Sequence, residues 1–477
     1  MTISSCLIIR ITKGISTIII PPSRERGSAA MPVTRRQIVA ALPAAAVAAS
    51  LPRVPARAQD GRKVVTFWFA QANSDGQTAL RNDLVDAFNA SQDKYLLQLE
   101  VKGAAVNNLL KVALLAGNGP DIVQTSGPSY LTAIANAGQL LPLDDLAARH
   151  KWKERFLPAL LNTGVYGDKL YALPRDYESM HLFYNKQVFS QNGWKVPTNR
   201  AETEALADAA LAKGITPFSA GNADWKGVNE WLMTVFFNNV AGPDNVRKAL
   251  SGELPWTAPP FVEAVELAKA WYTKGYFGKN YFSLTNEQSF LQVVNGKAAM
   301  AMNGTWSFGT KSFGMSKPDT VMDVVPIPGL SDRVTEPLSH LACGATLSIA
   351  KTSQNAEGAA AVFEFMLSRQ FYQSMNRDWP GKWALPVKDL PPDLLQGIGY
   401  PLFEKTIASL HEAFSKGRFG FTTWTFWPNA ANSYVTEGIE QVWLNRITVD
   451  GYLNRLQTVF AEELKAGRVP PLPPRTA

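Results

Sequence analysis

Along residues 63–123 the hydrophobic positions change rhythm repeatedly. Residues 63–70 (KVVTFWFA) form a β-branched and aromatic run, as expected of a buried strand. Leu80, Leu84, Val85 and Phe88 then recur at the spacing of one helix face. The polar segment between them, residues 71–76, offers Ser74 or Asp75 as the helix cap. A second strand is predicted over residues 96–101 and a second helix over 107–116, stopped by Gly117-Asn118-Gly119-Pro120. A third strand starts at Asp121-Ile122-Val123. Strand–helix–strand–helix–strand predicts an α/β sheet with parallel strands and covered faces.

From Asp176 the pattern changes. Residues 178–184 read as a strand and 199–213 as a helix, with further helices over 230–239, 260–275 and 287–294. More α/β structure follows: strands over 321–327 and 345–350, then a helix over 355–368. The remainder is mostly helical. No internal repeat or low-complexity tract interrupts the chain. Its 477 residues exceed one compact core and predict two or more lobes.

Charge alters this picture only at the N-terminus. The net charge of +7 comes from a leader: eight of the 47 basic residues and one of the 40 acidic ones lie in residues 1–58, leaving the body balanced. A neutral body has no overall field to attract phosphate backbones, so no nucleic-acid partner is expected. Arg35 and Arg36 precede an alanine-rich apolar run that ends at Ala56-Arg57-Ala58, a small-x-small cleavage pattern. The segment 31–58 resembles a twin-arginine signal peptide, with an ordinary Sec signal as the alternative. The run is too short to span a membrane. Residues 1–30 fit no signal design and are expected to stem from a start codon placed too early. Once the leader with Cys6 is removed, Cys343 is the body's one cysteine, so no internal disulfide is expected.

Five segments, in order, resemble the sugar-binding proteins of ABC importers, the maltose-binding type included. They are VTFWFAQANSDGQTALRNDLVDAFNAS, LLKVALLAGNGPDIVQ, GDKLYALPRDYESMHLFYNKQVF, VNGKAAMAMNGTWSFG and ACGATLSIAKTSQNAEGAAAVFEFML. The resemblance implies a two-lobe periplasmic-binding-protein fold of α/β class, its lobes hinged by crossing strands around a ligand cleft. Residues 59–176 with 345–388 would form the N-terminal lobe, and 177–344 with 389–477 the other. The implied function is that of a periplasmic, monomeric receptor, free of cofactor and metal, delivering a sugar or sugar-like solute to ABC permease subunits.

A sugar presents apolar C–H faces and a rim of hydroxyls, and calls for flat aromatics together with carboxylates or amides. Trp306 and Trp427 fall where the family places stacking aromatics, and Trp225 lies in a polar loop where it places a cleft aromatic. Trp379, Trp383 and Trp424 are further candidates for cleft walls; packing is the competing reading for all of them. Glu178 stands where the maltose-binding type has a ligand-contacting carboxylate, with a hinge salt bridge as its alternative. Asp176 shares its face if the strand is regular, and Tyr177 lies between them. Gln71, Asn73 and Asp75 follow strand one, and Ser129 and Tyr130 follow strand three, at the end of the sheet where α/β folds bind ligands. The same residues would also serve as helix caps.

Residues 71–75 lack the lysine of the maltose-binding type, so maltose is not implied. Arg175 beside the crossover keeps glycerol-phosphate or polyol ligands open. A different class is a carbohydrate-active enzyme using Asp176 and Glu178 as paired acid and base. Against it, the four histidines show no metal-ligand spacing, and no GxSxG, GxxxxGK[ST] or GxGxxG is present. A third reading, a module that binds a partner protein or polymer, would expose apolar patches instead of a closing cleft.

Overall fold

The computed structural model describes residues 60–70, 72–309, 321–398 and 400–473. The signal peptide, the early-start segment and Gln71 lie outside the described residues.

The strands, in chain order, are β1 (Lys63–Phe69), β2 (Tyr95–Val101), β3 (Ile122–Thr125), β4 (Val165–Tyr166), β5 (Lys169–Leu170), β6 (Leu173–Pro174) and β7 (Tyr177–Glu178). After them come β8 (Met180–Asn185), β9 (Thr216–Phe218), β10 (Ala298–Gly304), β11 (Met322–Val325), β12 (His340–Cys343), β13 (Thr346–Ile349) and β14 (Gly420–Phe421).

Two sheets anchor the two lobes. The first has the order β2-β1-β3-β13-β6. Its β2, β1 and β3 are parallel, as expected of strand–helix–strand units. The expectation of an all-parallel sheet fails at one strand: β13 runs antiparallel to both of its neighbours, β3 and β6, so that β6 at the edge has the same sense as β1, β2 and β3. β6 is the outgoing crossing of the chain and β13 the returning one, and a strand returning from another lobe enters from the opposite end. Both faces of this sheet are covered. Val65, Phe67 and Phe69 pack on Leu80, Leu84, Phe88 and Phe363, and Val123 packs on Val106, Leu110 and Leu131 from the other side. Each such side chain contributes roughly 1.5–3 kcal/mol by leaving water.

The second sheet has the order β11-β8-β10-β9, and a small third one β14-β12-β7. Their core joins Phe183, Phe218, Met300 and Trp271 to Val435 and Phe460 of the C-terminal helices. The predicted strand over 178–184 is two strands broken at Ser179. The chain changes sheet there: β7 pairs with β12, and β8 pairs with β10 and β11.

Three chain segments pass between the lobes. The first two, around 173–178 and 340–346, lie side by side: β6 pairs with β13 and β7 with β12, and between them Arg175 N–H donates to the Ala345 carbonyl at 2.9 Å. The third, around 379–387, is tied on by the Tyr177 N–H, which donates to the Ala384 carbonyl at 3.0 Å. Cys343 is fully buried in this bundle, with its thiol donating to the Ala345 carbonyl at 3.1 Å. Among the described residues no helix is long and apolar enough to cross a membrane.

Candidate functional site

A cavity of about 270 Å³ lies where the crossovers meet the two main sheets. One wall comes from the carboxyl ends of the parallel strands: Phe69, Ala70 and Asn73 after β1, Gln124 and Ser126 at β3, and Tyr130 in the first turn of the helix Pro128–Asn136. The facing wall carries Asp224 and Trp225 from a loop, Glu230 and Trp231 from the helix Gly227–Phe236, and Asn286 and Glu287 from the helix Asn286–Val294. Trp306 and Trp424 complete it. Arg175, Glu178, Gly344, Trp379 and Lys382 line it from the crossovers.

Glycines shape the indole wall. A side chain at Gly304 would overlap the Trp306 ring, and one at Gly227 would overlap Trp225, so both indoles fold back over bare backbone. Trp306 then sits 4.6 Å from Trp231 and 6.0 Å from Trp424, centroid to centroid. The ring N–H groups of Trp225 and Trp306 find no acceptor in the protein. The result is a broad apolar surface, suited to the apolar faces of a ligand.

The charges fall into two groups. At the crossovers, Arg175 Nη2 lies 2.5 Å from Asp176 Oδ2, and Asp176 Oδ1 accepts from the Ala345 N–H at 3.1 Å. The Arg175 guanidinium also lies over the Trp383 ring at 4.7 Å. With its amide turned to suit its neighbours, Gln124 accepts from Arg175 Nη1 at 3.3 Å. Burial and the neighbouring Asp176 push the Glu178 carboxyl up to about 7, against the opposing pull of Lys382 and Arg175. Burial lowers the Lys382 ammonium, although Glu178 favours its charge. Lys382 Nζ stands 5.7 Å from the Trp306 ring centre. On the facing wall, burial pushes Glu230 up to about 7 even though Asn432 and Thr436 donate to its Oε2 at 2.8 and 3.5 Å. Tyr130, across the cavity, is shifted upward by burial and by Glu230.

The structure brings Trp306, Trp225, Glu178, Asn73 and Tyr130 together around this cavity. Asn73 also does what was expected of Ser74 or Asp75: its side chain accepts from the Gly76 N–H at 2.8 Å, because its extended backbone turns Oδ1 toward the helix start. Asp75 is half-buried and outside the cavity lining. Ser129, the residue before Tyr130, is fully buried, with its hydroxyl unpartnered. Asp176 and Glu178 do share a face, since a Cβ on Gly344 would lie 2.7 Å from Asp176 Oδ1 and 2.5 Å from Glu178 Cδ. Only Glu178 reaches the cavity, whereas Asp176 is spent on Arg175 and backbone. Tyr177 points into the core, where its hydroxyl donates to the Ile407 carbonyl at 3.3 Å and its ring meets Phe414 edge-on.

Trp427 is the clearest departure. It is fully buried, 5.2 Å from Trp256 and parallel to Phe237, while Trp424 on the helix Thr423–Phe426 takes the place at the cavity. One short helical turn separates the two indoles, and its phase cannot be read from three aromatics in five residues. Glu230, Trp231 and Lys382 went unrecognised. The signal for Glu230 was present as a lone carboxylate in the apolar run EWLMTVFF, which needs a reason to be buried.

The pattern that defines the bacterial extracellular solute-binding proteins matches residues 47–371. The chain belongs to that family. Members similar in sequence include an ABC-transporter extracellular-binding protein of Pyrococcus horikoshii, 25% identical over 49% of this chain and 53% of its own length. A diacetylchitobiose-binding protein of Streptomyces coelicolor is 25% identical over 63% of this chain and 67% of its own. The chain thus spans about half to two thirds of these curated relatives. Among solved structures, a chitin-oligosaccharide-binding protein superposes with a TM-score of 0.72 at 21% identity, over 84% of this chain and 99% of that one. A maltose-bound binding protein of T. maritima gives 0.66 at 16% identity, over 84% and 99%. These likenesses carry the two-lobe solute-binding fold.

Proposed function

We propose that this solute-binding protein is the receptor of an ABC importer and captures a saccharide in the cavity between its lobes. The observation that carries this reading is the composition of the cavity, with indoles and Tyr130 supplying faces for C–H surfaces and Glu178, Glu230, Asn73 and Asn286 supplying acceptors and donors for hydroxyls. The relatives named for chitin oligosaccharides and maltose support a carbohydrate ligand. The lobes divide at the crossovers, near residues 176, 344 and 388. The protein acts as a monomer in the periplasm, reached through the leader with its Arg35-Arg36 pair and cleavage after Ala58.

A phosphate-bearing ligand fits less well. The lining holds four carboxylates (Glu178, Asp224, Glu230, Glu287) against Arg175 and Lys382, and Arg175 is already paired with Asp176. Hydrolysis by Asp176 with Glu178 is also disfavoured, because Asp176 does not line the cavity and both of its oxygens are already engaged, by Arg175 and the Ala345 N–H.

The test is a thermal-shift and calorimetric panel of mono- and disaccharides, with small-angle scattering on any hit. A stabilising sugar that shrinks the radius of gyration is the expected result. A ligand that is phosphorylated and not a saccharide, or turnover of a bound glycoside, would replace this reading.

A further inference from the structure

The proposed saccharide cavity is electrically lopsided. All ionisable side chains of its second-lobe wall are acids (Asp224, Glu230 and Glu287), while the cations Arg175 and Lys382 sit at the crossovers beside Glu178. Glu230 is the most demanding of the three. It is only 5% exposed, and the groups that donate to it are neutral: the Asn432 amide and the Thr436 hydroxyl, both on Oε2. The nearest base on its own helix start, Lys226, is turned to Glu440 at 3.2 Å. A carboxylate buried without a cation is costly, and it persists where something else supplies the compensating charge or protons. The indoles of Trp231 and Trp306 beside it favour a cation over their faces as well.

We propose, building on the saccharide reading above, that the cognate ligand is a basic sugar whose protonated amino group is held by Glu230 at the acidic wall, with its hydroxyls directed to Glu178 and Lys382. Selectivity then rests on charge more than on shape: a plain hydroxyl analogue fills nearly the same space but leaves Glu230 uncompensated, and an N-acetylated one lacks the charge and is bulkier as well.

The experiment measures calorimetric affinities of the purified chain for glucosamine, N-acetylglucosamine and glucose, and for their β-1,4-linked dimers, at pH 7. The amine is expected to bind at least tenfold more tightly than its N-acetyl and hydroxyl counterparts, in line with a charged hydrogen bond of the kind that separates such ligands by one to two decades. In Glu230→Gln the ratio of amine to hydroxyl affinity should fall toward one. If that variant fails to melt cooperatively, the wild-type ratio decides alone. Neutral saccharides binding as tightly as amines, or a ratio unaffected by Glu230→Gln, would overturn the basic-sugar assignment while leaving the saccharide reading intact. No binding to any sugar, alongside binding to another solute class, would overturn both.

Discussion

Glu178 and Glu230 are the residues on which the cavity's chemistry turns, and both hold their protons more tightly when folded. A carboxyl raised to about 7 from an ordinary 4.5 lets the native state keep a proton that the unfolded chain releases. Its stabilising effect is therefore full near pH 4.5 and declines as pH rises to 7. His181 and His340 act in the opposite direction: burial lowers them to about 4 and 3, so they cost stability as pH falls below 6.5. The two effects offset one another between pH 4.5 and 6.5. The carboxyls should be isolated by the difference in melting temperature between the parent and the Glu178→Gln, Glu230→Gln double variant. The parent's relative advantage is expected to shrink from pH 5 to pH 7.5, and a difference that stays flat would show that the two carboxyls are ordinary. Removing contacts tests the site directly. Trp306→Ala and Glu178→Ala should each weaken binding of the cognate saccharide by about 1–3 kcal/mol, a factor of roughly 5 to 150, with little loss of fold. Calorimetry with far-UV melting checks both.

At the scale of elements, the crossovers set the behaviour of the cleft. Gly344 lets two strands lie against a pair of carboxylates, and Gly344→Ala would drive a methyl into Glu178 and Asp176. A loss of about 1–3 kcal/mol is expected from the forced shift, read as a lower denaturation midpoint. Asn73→Ala should cost about 1 kcal/mol through the lost helix cap, and additionally weaken ligand binding because the same residue lines the cavity. A cap with no second role would change the midpoint and leave affinity alone. The strands and most helices were legible because their hydrophobic spacing is local. The break at Ser179 was not, since β7 and β8 differ only in which distant strand each meets. Trp427 failed for a similar reason: whether an indole faces a cavity or a core depends on Trp256 and Phe237, which lie far away in sequence.

For the whole molecule, the ordered family segments made the two-lobe architecture legible, while the reversed strand β13 within the first sheet follows from a route between lobes that no local pattern encodes. The acidic wall was hidden because Asp224, Glu230 and Glu287 come from three separate elements and converge only on folding. Closure of the lobes around a ligand brings the crossovers themselves into play. Cys343, the one thiol among the described residues, is sealed where they bundle, and burial holds it well above the ordinary range for a cysteine. It is a built-in clock. A disulfide reagent can modify it only when the bundle parts, so the rate of labelling counts those openings, and a ligand that locks the lobes should make the clock run slow.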